Sequence, residues 1–161
     1  MNRYHLQNRP DRELKESEDI DDILKNGQFA VLSLCRDNEP YVVTLSYGYD
    51  KGRNALYFHC AKEGLKLEFL RANSHVCATV IEDGGYIADE CGHAYRTVVF
   101  RGPMQPVDEL EEKKHGMGVL LRHLEKNSSV IQAKLRHSEK FYSKMEILRM
   151  DIQQIQGKAG R

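Results

Sequence analysis

The feature that most restricts the fold of this chain is the segment 55–73, in which a strand pattern turns directly into a helix pattern. Its first six residues alternate between two faces of a strand, with Leu56, Phe58 and Cys60 on one face and Ala55, Tyr57 and His59 on the other. After a turn at residues 61–64, Leu67, Leu70 and Phe69 return at the spacing of a buried helix face. The segment therefore predicts a strand, a tight turn containing glycine, and a helix.

Such a junction is a candidate anion site. The first N–H groups of a helix have no intrahelical partners, and together with the helix dipole they attract negative charge. Lys62 and Lys66 are four residues apart across the first turn, so both ammonium groups can reach the same side. We interpret the junction as a phosphate cradle, with His59 on the strand that leads into it. The alternative is a plain strand–helix junction with solvated lysines, and these residues alone do not decide between the two.

The overall charge argues against several classes of function. The 161 residues contain 24 Lys and Arg and 24 Asp and Glu, so no net field attracts nucleic acid or an anionic membrane. No apolar run approaches the roughly 20 residues of a membrane span, and the N-terminal segment lacks an apolar signal-peptide core. We expect a cytoplasmic protein with no nucleic-acid or membrane partner. Its four cysteines are far apart and include no C-x-x-C pair, so we expect reduced thiols and no metal site.

The rest of the chain reads as one domain of short strands and a few helices. Strands are predicted at 29–35, 41–49, 55–60, 75–81, 97–101 and 146–156, and helices at 17–26, 65–73, 108–124 and 129–136. Ser17 and Asp108 are the expected N-caps, and Gly27 suits the position after the first helix. Residues 1–16 are expected to form an arm, and residues 86–95 an irregular loop. Six strands without βαβ alternation predict a mostly β fold, an antiparallel barrel-like sheet with peripheral helices.

Three segments, taken in order, resemble a known family. They are EPYVVTLSYGYD (39–50), LYFHCAKEGLKLEFLRAN (56–73) and YRTVVFRG (95–102). Their order and spacing are similar to those of the FMN-binding split-barrel superfamily, which includes pyridoxamine 5′-phosphate oxidase, and in particular to its nitroimidazole-resistance branch. The H-x-A-x-x-G-x-K element, which here runs from His59 to Lys66, is the most specific part. The resemblance covers residues 17–156 and implies a homodimeric, six-stranded antiparallel split β-barrel with FMN at the dimer interface.

The resemblance also implies roles for individual residues. The positions matched to the flavin ring are Tyr41, Val42, Val43 and Thr44, which line it through backbone groups, and those beneath the ring and ribityl chain are Phe58, His59, Cys60 and Ala61. Lys66 matches the phosphate-binding lysine, with Lys62 close enough to assist, and Thr97 matches a polar position offered by the partner subunit. His59 is the candidate catalytic residue, as a donor of a proton or a hydrogen bond near the ring.

Two departures narrow the expected activity. Gly64-Leu65-Lys66 stands where the oxidase has Ser-Arg-Lys, and the oxidase's C-terminal substrate motif of Arg and His is not evident, so pyridoxamine phosphate oxidation is not expected. We expect an FMN-dependent oxidoreductase that passes electrons from a small reduced donor to a small acceptor; the resemblance suggests a nitroaromatic one. The alternatives are a non-catalytic flavin carrier, a haem-binding or haem-degrading protein, a deazaflavin protein and a purely structural protein.

Overall fold

The computed structural model describes Leu6 and residues 8–135 and 138–160. After a 3-10 turn at Pro10–Arg12, these residues form nine strands and five helices. The strands are β1 (Glu13–Leu14), β2 (Phe29–Arg36), β3 (Glu39–Ser46), β4 (Gly48–Asp50), β5 (Ala55–Ala61), β6 (His75–Ile87), β7 (Gly92–Pro106), β8 (Met145–Asp151) and β9 (Gln154–Gly160). The helices are α1 (Ser17–Asn26), α2 (Leu65–Ala72), α3 (Leu110–Leu124), α4 (Ser129–Leu135) and α5 (Glu139–Tyr142).

The sheet is antiparallel and open. Its strand order is β3-β2-β6-β7-β8-β5-β4, and β9 pairs with β7 and with the short β1. Strand β7 joins the two halves, because residues 92–103 pair with β6 while residues 104–106 pair with β8. The expected fold class is confirmed as a mostly β, antiparallel, barrel-like sheet with helices at its periphery. It has nine strands where six were predicted, and β3 and β4 are left at its two ends.

The core has two parts, on opposite faces of β5. The inner face of the sheet, with α1 and α2, encloses residues that include Leu32, Phe58, Phe100 and Met150. The other face of β5 packs under α3, where Tyr57 and Ile147 meet Met117 and Leu120. Strand β5 is therefore buried on both sides along most of its length. The alternation predicted from its sequence is confirmed, and each set of residues belongs to a different core.

Two segments predicted as single strands are each divided. Residues 41–49 form the end of β3 and the start of β4, separated by Tyr47, whose buried hydroxyl donates to the Leu24 carbonyl at 2.7 Å. At Gly48 the chain crosses between the halves of the sheet, and a Cβ there would lie 2.6 Å from the Leu120 backbone nitrogen. Residues 146–156 likewise divide into β8 and β9, with the buried Ile152 between them donating its N–H to the Asn54 carbonyl at 3.0 Å.

The prediction of an irregular loop at 86–95 is wrong. This segment is the end of a long hairpin in which β6 runs to Ile87 and β7 begins at Gly92. A bulge between Asp83 and Gly85 shifts the register, and Gly85 has a φ of 88°, which favours glycine. The Asp83 carboxylate lies 2.7 Å from the Gly85 N–H and 2.7 Å from His93 Nε2, which holds the hairpin end together.

The helix boundaries agree with the sequence more closely than the caps do. Helix α1 spans the predicted residues, but Ser17 is its first helical residue and Glu16 occupies the N-cap without a side-chain hydrogen bond. Helix α3 begins at Leu110, with Glu109 and not Asp108 at its N-cap. Helix α4 ends at Leu135, and the predicted last residue, 136, lies outside the described residues.

Part of the predicted N-terminal arm is attached to the sheet. Glu13 and Leu14 of β1 pair with β9, and Arg12 donates to the Tyr95 hydroxyl at 3.1 Å. Residues 1–5 and 7 of the predicted arm lie outside the described residues. Among the helices that the structure describes, none has the length and apolar character needed to cross a membrane.

Candidate functional site

The predicted strand–turn–helix junction is formed by β5 and α2. Gly64 is the N-cap of α2, with φ 136° and ψ 164°, a conformation that L side chains rarely adopt. Its carbonyl accepts from Leu67 N at 2.9 Å and Glu68 N at 3.3 Å, and no side chain caps the helix. The N–H groups of Leu65 and Lys66, the first two helical residues, are therefore left to bind a group from outside the helix.

Two cations lie beside these N–H groups. Lys62 is exposed and Lys66 is partly buried, and within residues 8–135 and 138–160 neither has a carboxylate partner. Burial raises the pKa of the neighbouring Cys60 thiol, and the charge of Lys66 opposes that rise. We call Lys62, Gly64, Leu65 and Lys66 the cradle. Its unpaired N–H groups and unneutralised ammonium groups suit a phosphate.

An opening in the sheet lies next to the cradle. Strand β5 pairs with β8 over its whole length but with β4 only from Ala55 to Tyr57, so one backbone edge of residues 58–61 is not used in the sheet. Strand β3 is the last strand at the other end of the sheet, and it approaches β5 across the opening. The Tyr41 ring packs 5.1 Å from the Phe69 ring, which places β3 beside α2. Residues 41–44, residues 58–61 and the cradle are thus brought together.

Not all of the predicted site residues have side chains that a ligand could contact. Phe58 is fully buried and Cys60 is 9% exposed, so both can face a ligand only through the main chain. Tyr41 and Val43 pack on the core, while Val42 and Thr44 are exposed on the opposite face. His59 and Ala61 are exposed, and the described residues provide no hydrogen-bond partner for the His59 imidazole.

Thr97 lies apart from the other predicted residues. It is on β7, in the other half of the sheet, opposite Ile81 on β6 and Lys158 on β9. Its strand neighbour Val98 faces the core, so Thr97 faces outward. One protomer does not bring Thr97 to the cradle, and its predicted contribution from a partner subunit stays a prediction.

Arg36 is a neighbour of the site that the sequence did not indicate. Its guanidinium lies 4.5 Å from the centre of the Phe69 ring and pairs with Glu39 at 3.0 Å and Glu68 at 3.6 Å. Arg36 directly follows the predicted strand at 29–35, and nothing in its local pattern reveals a ring 33 positions away. Because two carboxylates already offset its charge, Arg36 braces α2 against the β2–β3 hairpin and does not replace the arginine that is absent next to Lys66.

The outer face of the larger half of the sheet is unusually apolar. Large hydrophobic side chains on it include Phe29 (58% exposed), Val42 (60%), Ile81 (58%) and Tyr86 (65%). On the same face, the buried Nε2 of Gln156 has no hydrogen-bond partner among the described residues. Sequence patterns did not reveal this face, because a strand period does not say which side is covered.

No three His, Cys, Asp or Glu side chains within the described chain are placed to hold a metal ion together. The described thiols of Cys35, Cys60, Cys77 and Cys91 are free, in agreement with the reduced cysteines expected from their spacing.

Several solved structures have this fold. A candidate 5-nitroimidazole antibiotic resistance protein from Bacteroides thetaiotaomicron is 23% identical, with a TM-score of 0.77 over 91% of this chain and 86% of its own. An FAD-binding protein from Mesorhizobium loti is 24% identical, with a TM-score of 0.67 over 93% and 98%. An FAD and haem binding protein from Mycobacterium smegmatis is 18% identical, with a TM-score of 0.75 over 93% and 74%. At these identities the likeness establishes the fold.

The sequence gives a finer assignment. No curated protein matches it. A family model described as pyridoxamine 5′-phosphate oxidase matches residues 16–159, which is most of the chain and includes the whole of β2 to β8 and the cradle. The predicted resemblance is confirmed: this chain belongs to the pyridoxamine 5′-phosphate oxidase family.

Proposed function

We propose that this protein binds FMN and is an oxidoreductase that passes electrons from a small reduced donor to a small acceptor. The observation that carries the proposal is the cradle, which leaves two backbone N–H groups and two lysines unpaired at the end of a strand whose edge is open. Membership of the family supports a flavin as the group that occupies it. The activity of pyridoxamine 5′-phosphate oxidase itself is not proposed, because the substrate motif is not evident in this sequence.

The residues present fit the phosphate of FMN. A dianion would accept from the N–H groups of Leu65 and Lys66 and from the ammonium groups of Lys66 and Lys62. The space beside Gly64 is open to a ligand, because a Cβ built there would meet nothing within 4 Å. The ring would lie at the opening between β3 and β5, where residues 41–44 and 58–61 offer main-chain groups.

His59 is the residue we propose for chemistry. When bound, the flavin supplies two-electron redox chemistry between donor and acceptor. The exposed imidazole of His59 lies on the strand that leads into the cradle, where it can donate a proton or a hydrogen bond to an acceptor beside the ring. The nitroaromatic class of acceptor is proposed because the fold is shared with a candidate 5-nitroimidazole resistance protein.

We further propose that the protein is a homodimer that buries the apolar outer face. A face carrying Phe29, Ile81 and Tyr86, each more than half exposed, is costly to leave in water. Gln156 Nε2 on that face needs an acceptor, and a second copy can provide one. Thr97 lies on the same face, and we propose that a second copy seated there contributes its own Thr97 to the flavin site.

The first experiment is an absorbance scan of the purified protein after gel filtration, with and without added FMN. Flavin bands at about 375 and about 450 nm that stay with the protein are the expected result. Mass analysis of the released cofactor then distinguishes FMN from FAD and from a deazaflavin. Absence of retained flavin together with no measurable affinity for FMN would overturn the proposal.

Turnover distinguishes an enzyme from a flavin carrier. The oxidation of reduced nicotinamides is followed with a 5-nitroimidazole as acceptor, in the natural protein and in His59→Ala. His75→Ala, which removes another exposed histidine, is the matched control. We expect His59→Ala to retain flavin and lose about a hundredfold or more in rate, the contribution typical of general acid catalysis. Full activity in His59→Ala would remove His59 from the mechanism, and bound flavin without turnover would favour the carrier.

Haem is the second candidate ligand, because one structure of the same fold is described as an FAD and haem binding protein. Titration of the flavin-free protein with haem tests it. A Soret shift that a histidine substitution abolishes would favour haem. Displacement of the haem by added FMN would favour flavin.

A further inference from the structure

A cleft of about 450 Å³ separates α3 from α4 and α5, and none of its lining residues belongs to the cradle. Its volume is within the range of small-molecule sites, roughly 300–1,000 Å³. Four of its lining residues are apolar or aromatic, namely Met117, Leu121, Leu135 and Tyr142. His115 and Arg122 of α3 also line it. A cleft lined by both apolar and cationic groups suits a ligand of the same amphipathic character.

The charges in the cleft leave one cation unpaired. Lys114 pairs with Glu111 at 2.7 Å, so these two cancel. Arg122 has no carboxylate partner and no hydrogen bond within the described part of the chain. His115 is held by Asp50, whose Oδ2 lies 2.7 Å from His115 Nε2. The cleft therefore presents one guanidinium and one fixed imidazole.

The absence of a side chain at Gly118 leaves room for the Arg122 side chain to lie along α3. Gly118 is one turn before Arg122, and a Cβ built on it would lie 3.2 Å from Arg122 Nη1. A second cleft, of about 400 Å³, lies on the other side of α3 and is also lined by His115 and Arg122, with Lys25 beside them. Asp50 also lines the second cleft and pairs with His115, so the two clefts share the guanidinium of Arg122 as a charge without a paired carboxylate among the described residues.

We propose that this cleft binds a small organic carboxylate with an apolar body. The planar fork of Arg122 matches a carboxylate in a bidentate arrangement, and a single unpaired guanidinium matches a monoanion. The apolar body lies against Met117, Leu121 and Leu135. This site does not depend on the proposed flavin chemistry, because it shares no residue with the cradle.

The test is a nitrogen-15 NMR titration of the full protein with 3-phenylpropionate, using the uncharged 3-phenylpropanamide as the matched ligand. For a ligand of this size we expect a dissociation constant of about 1 mM for the acid, with shifts at α3 and α4 and not at α2. The amide should bind at least about tenfold more weakly, since it lacks the charge that Arg122 pairs with.

Two variants and one control identify the residues that contribute to binding. Arg122→Gln should weaken binding of the acid at least about tenfold and leave binding of the amide unchanged. Lys126→Gln removes the same charge just beyond the helix and should change the affinity for neither ligand. Leu135→Ser should weaken binding of both the acid and the amide. Thermal unfolding verifies that each variant folds. Equal binding of acid and amide, unchanged affinity in Arg122→Gln, or no saturable shifts would each overturn the proposal, whether or not the protein binds flavin.

Discussion

Lys66 is the residue on which flavin binding should depend most. It is partly buried, lies at the first turn of α2 and has no carboxylate partner in the described chain, so its charge is available to a phosphate. Lys66→Ala should weaken FMN binding by about ten- to a hundredfold, the loss of one charge-assisted hydrogen bond. Fluorescence quenching of FMN measures it.

The controls for Lys66 come from the same chain. Lys62→Ala should weaken FMN binding less than Lys66→Ala does, because an exposed ammonium group is screened by water. Lys144→Ala, an exposed lysine between α5 and β8, should have no effect. If Lys66→Ala binds FMN as tightly as Lys144→Ala does, the cradle is not the phosphate site.

Glu112 is the residue whose protonation should most affect stability. Its carboxylate accepts from the Tyr57 hydroxyl, from Arg53 and, at 3.2 Å, from Arg149. Partial burial alone would raise its pKa, but the hydrogen bonds from Tyr57 and Arg53 lower the pKa from 4.5 to about 2. Burial, together with the bond to Glu112, raises the pKa of Tyr57 to about 12, so the phenol keeps its proton.

The sign of the pH dependence follows from the lowered pKa. The folded carboxylate is stabilising above the unfolded pKa of 4.5, and this contribution is lost as the pH falls towards 2. It amounts to roughly 3 kcal/mol at neutral pH, of which about 2 is lost by pH 3. Urea unfolding at pH 7 and pH 3 should show a smaller pH effect in Glu112→Gln than in the exposed control Glu109→Gln. Identical pH effects in the two variants would contradict this assignment.

At the scale of elements, the same substitution at two positions of α3, glycine to alanine, should change the free energy of unfolding in opposite directions. Gly116 faces β5, and a Cβ there would lie 2.6 Å from the Tyr57 ring and 2.8 Å from Ile147. At Gly118 a Cβ would meet only the flexible end of Arg122, at 3.2 Å. Gly116→Ala should therefore destabilise the protein by about 1–3 kcal/mol through overpacking, and Gly118→Ala should stabilise it by about 0.5–1 kcal/mol through helix propensity.

Thermal and urea unfolding of the two variants decide this prediction. Because the substitution and the helix are the same, the difference between them reports contact with β5 and not intrinsic propensity. Stabilisation of Gly116→Ala would mean that α3 does not pack on Tyr57 as described.

Local pattern was enough where an element is set by its own residues. Helix α1 has the predicted bounds, and the β5–α2 junction was predicted because an alternating run, a glycine turn and a helical stripe follow one another in 18 residues. The break at Tyr47 was not predictable in this way, since the alternation continues through it and its cause is a bond to Leu24 in α1. The long hairpin was missed because Arg96 is held by Glu82 and Asp22, contacts 14 and 74 residues apart in sequence.

The candidate site likewise has one part that local sequence predicts and one part that depends on contacts distant in sequence. Gly64, Lys62 and Lys66 are near one another in sequence, so the cradle could be predicted from spacing. The opening between β3 and β5, and the burial of Phe58 and Cys60, depend on how strands far apart in sequence pair. The cleft at Arg122 and the exposed outer face required the packed structure, because residue type alone does not tell which face of α3 or β2 remains uncovered.

At the scale of the whole molecule, the protomer has an open sheet edge beside the cradle and an apolar outer face in its other half. In a two-fold dimer the same patch is used by both copies, so the outer face would be covered by itself. Thr97 and Gln156 lie on that face. One contact would then cover the apolar side chains, give Gln156 an acceptor and bring a second subunit to the flavin, which is why assembly and cofactor binding should be lost together.

Phe29→Asp tests this coupling. Phe29 is 58% exposed on the outer face, so the variant should fold, while a carboxylate buried in the interface should weaken dimerisation at least about a hundredfold. Val130→Asp places the same charge at a residue that is 62% exposed on α4, away from this face, and should stay dimeric. Light scattering during gel filtration measures the mass, and FMN titration measures binding. A dimeric Phe29→Asp would show that another surface forms the dimer, and a monomer with unchanged FMN affinity would show that the cradle binds flavin without a partner.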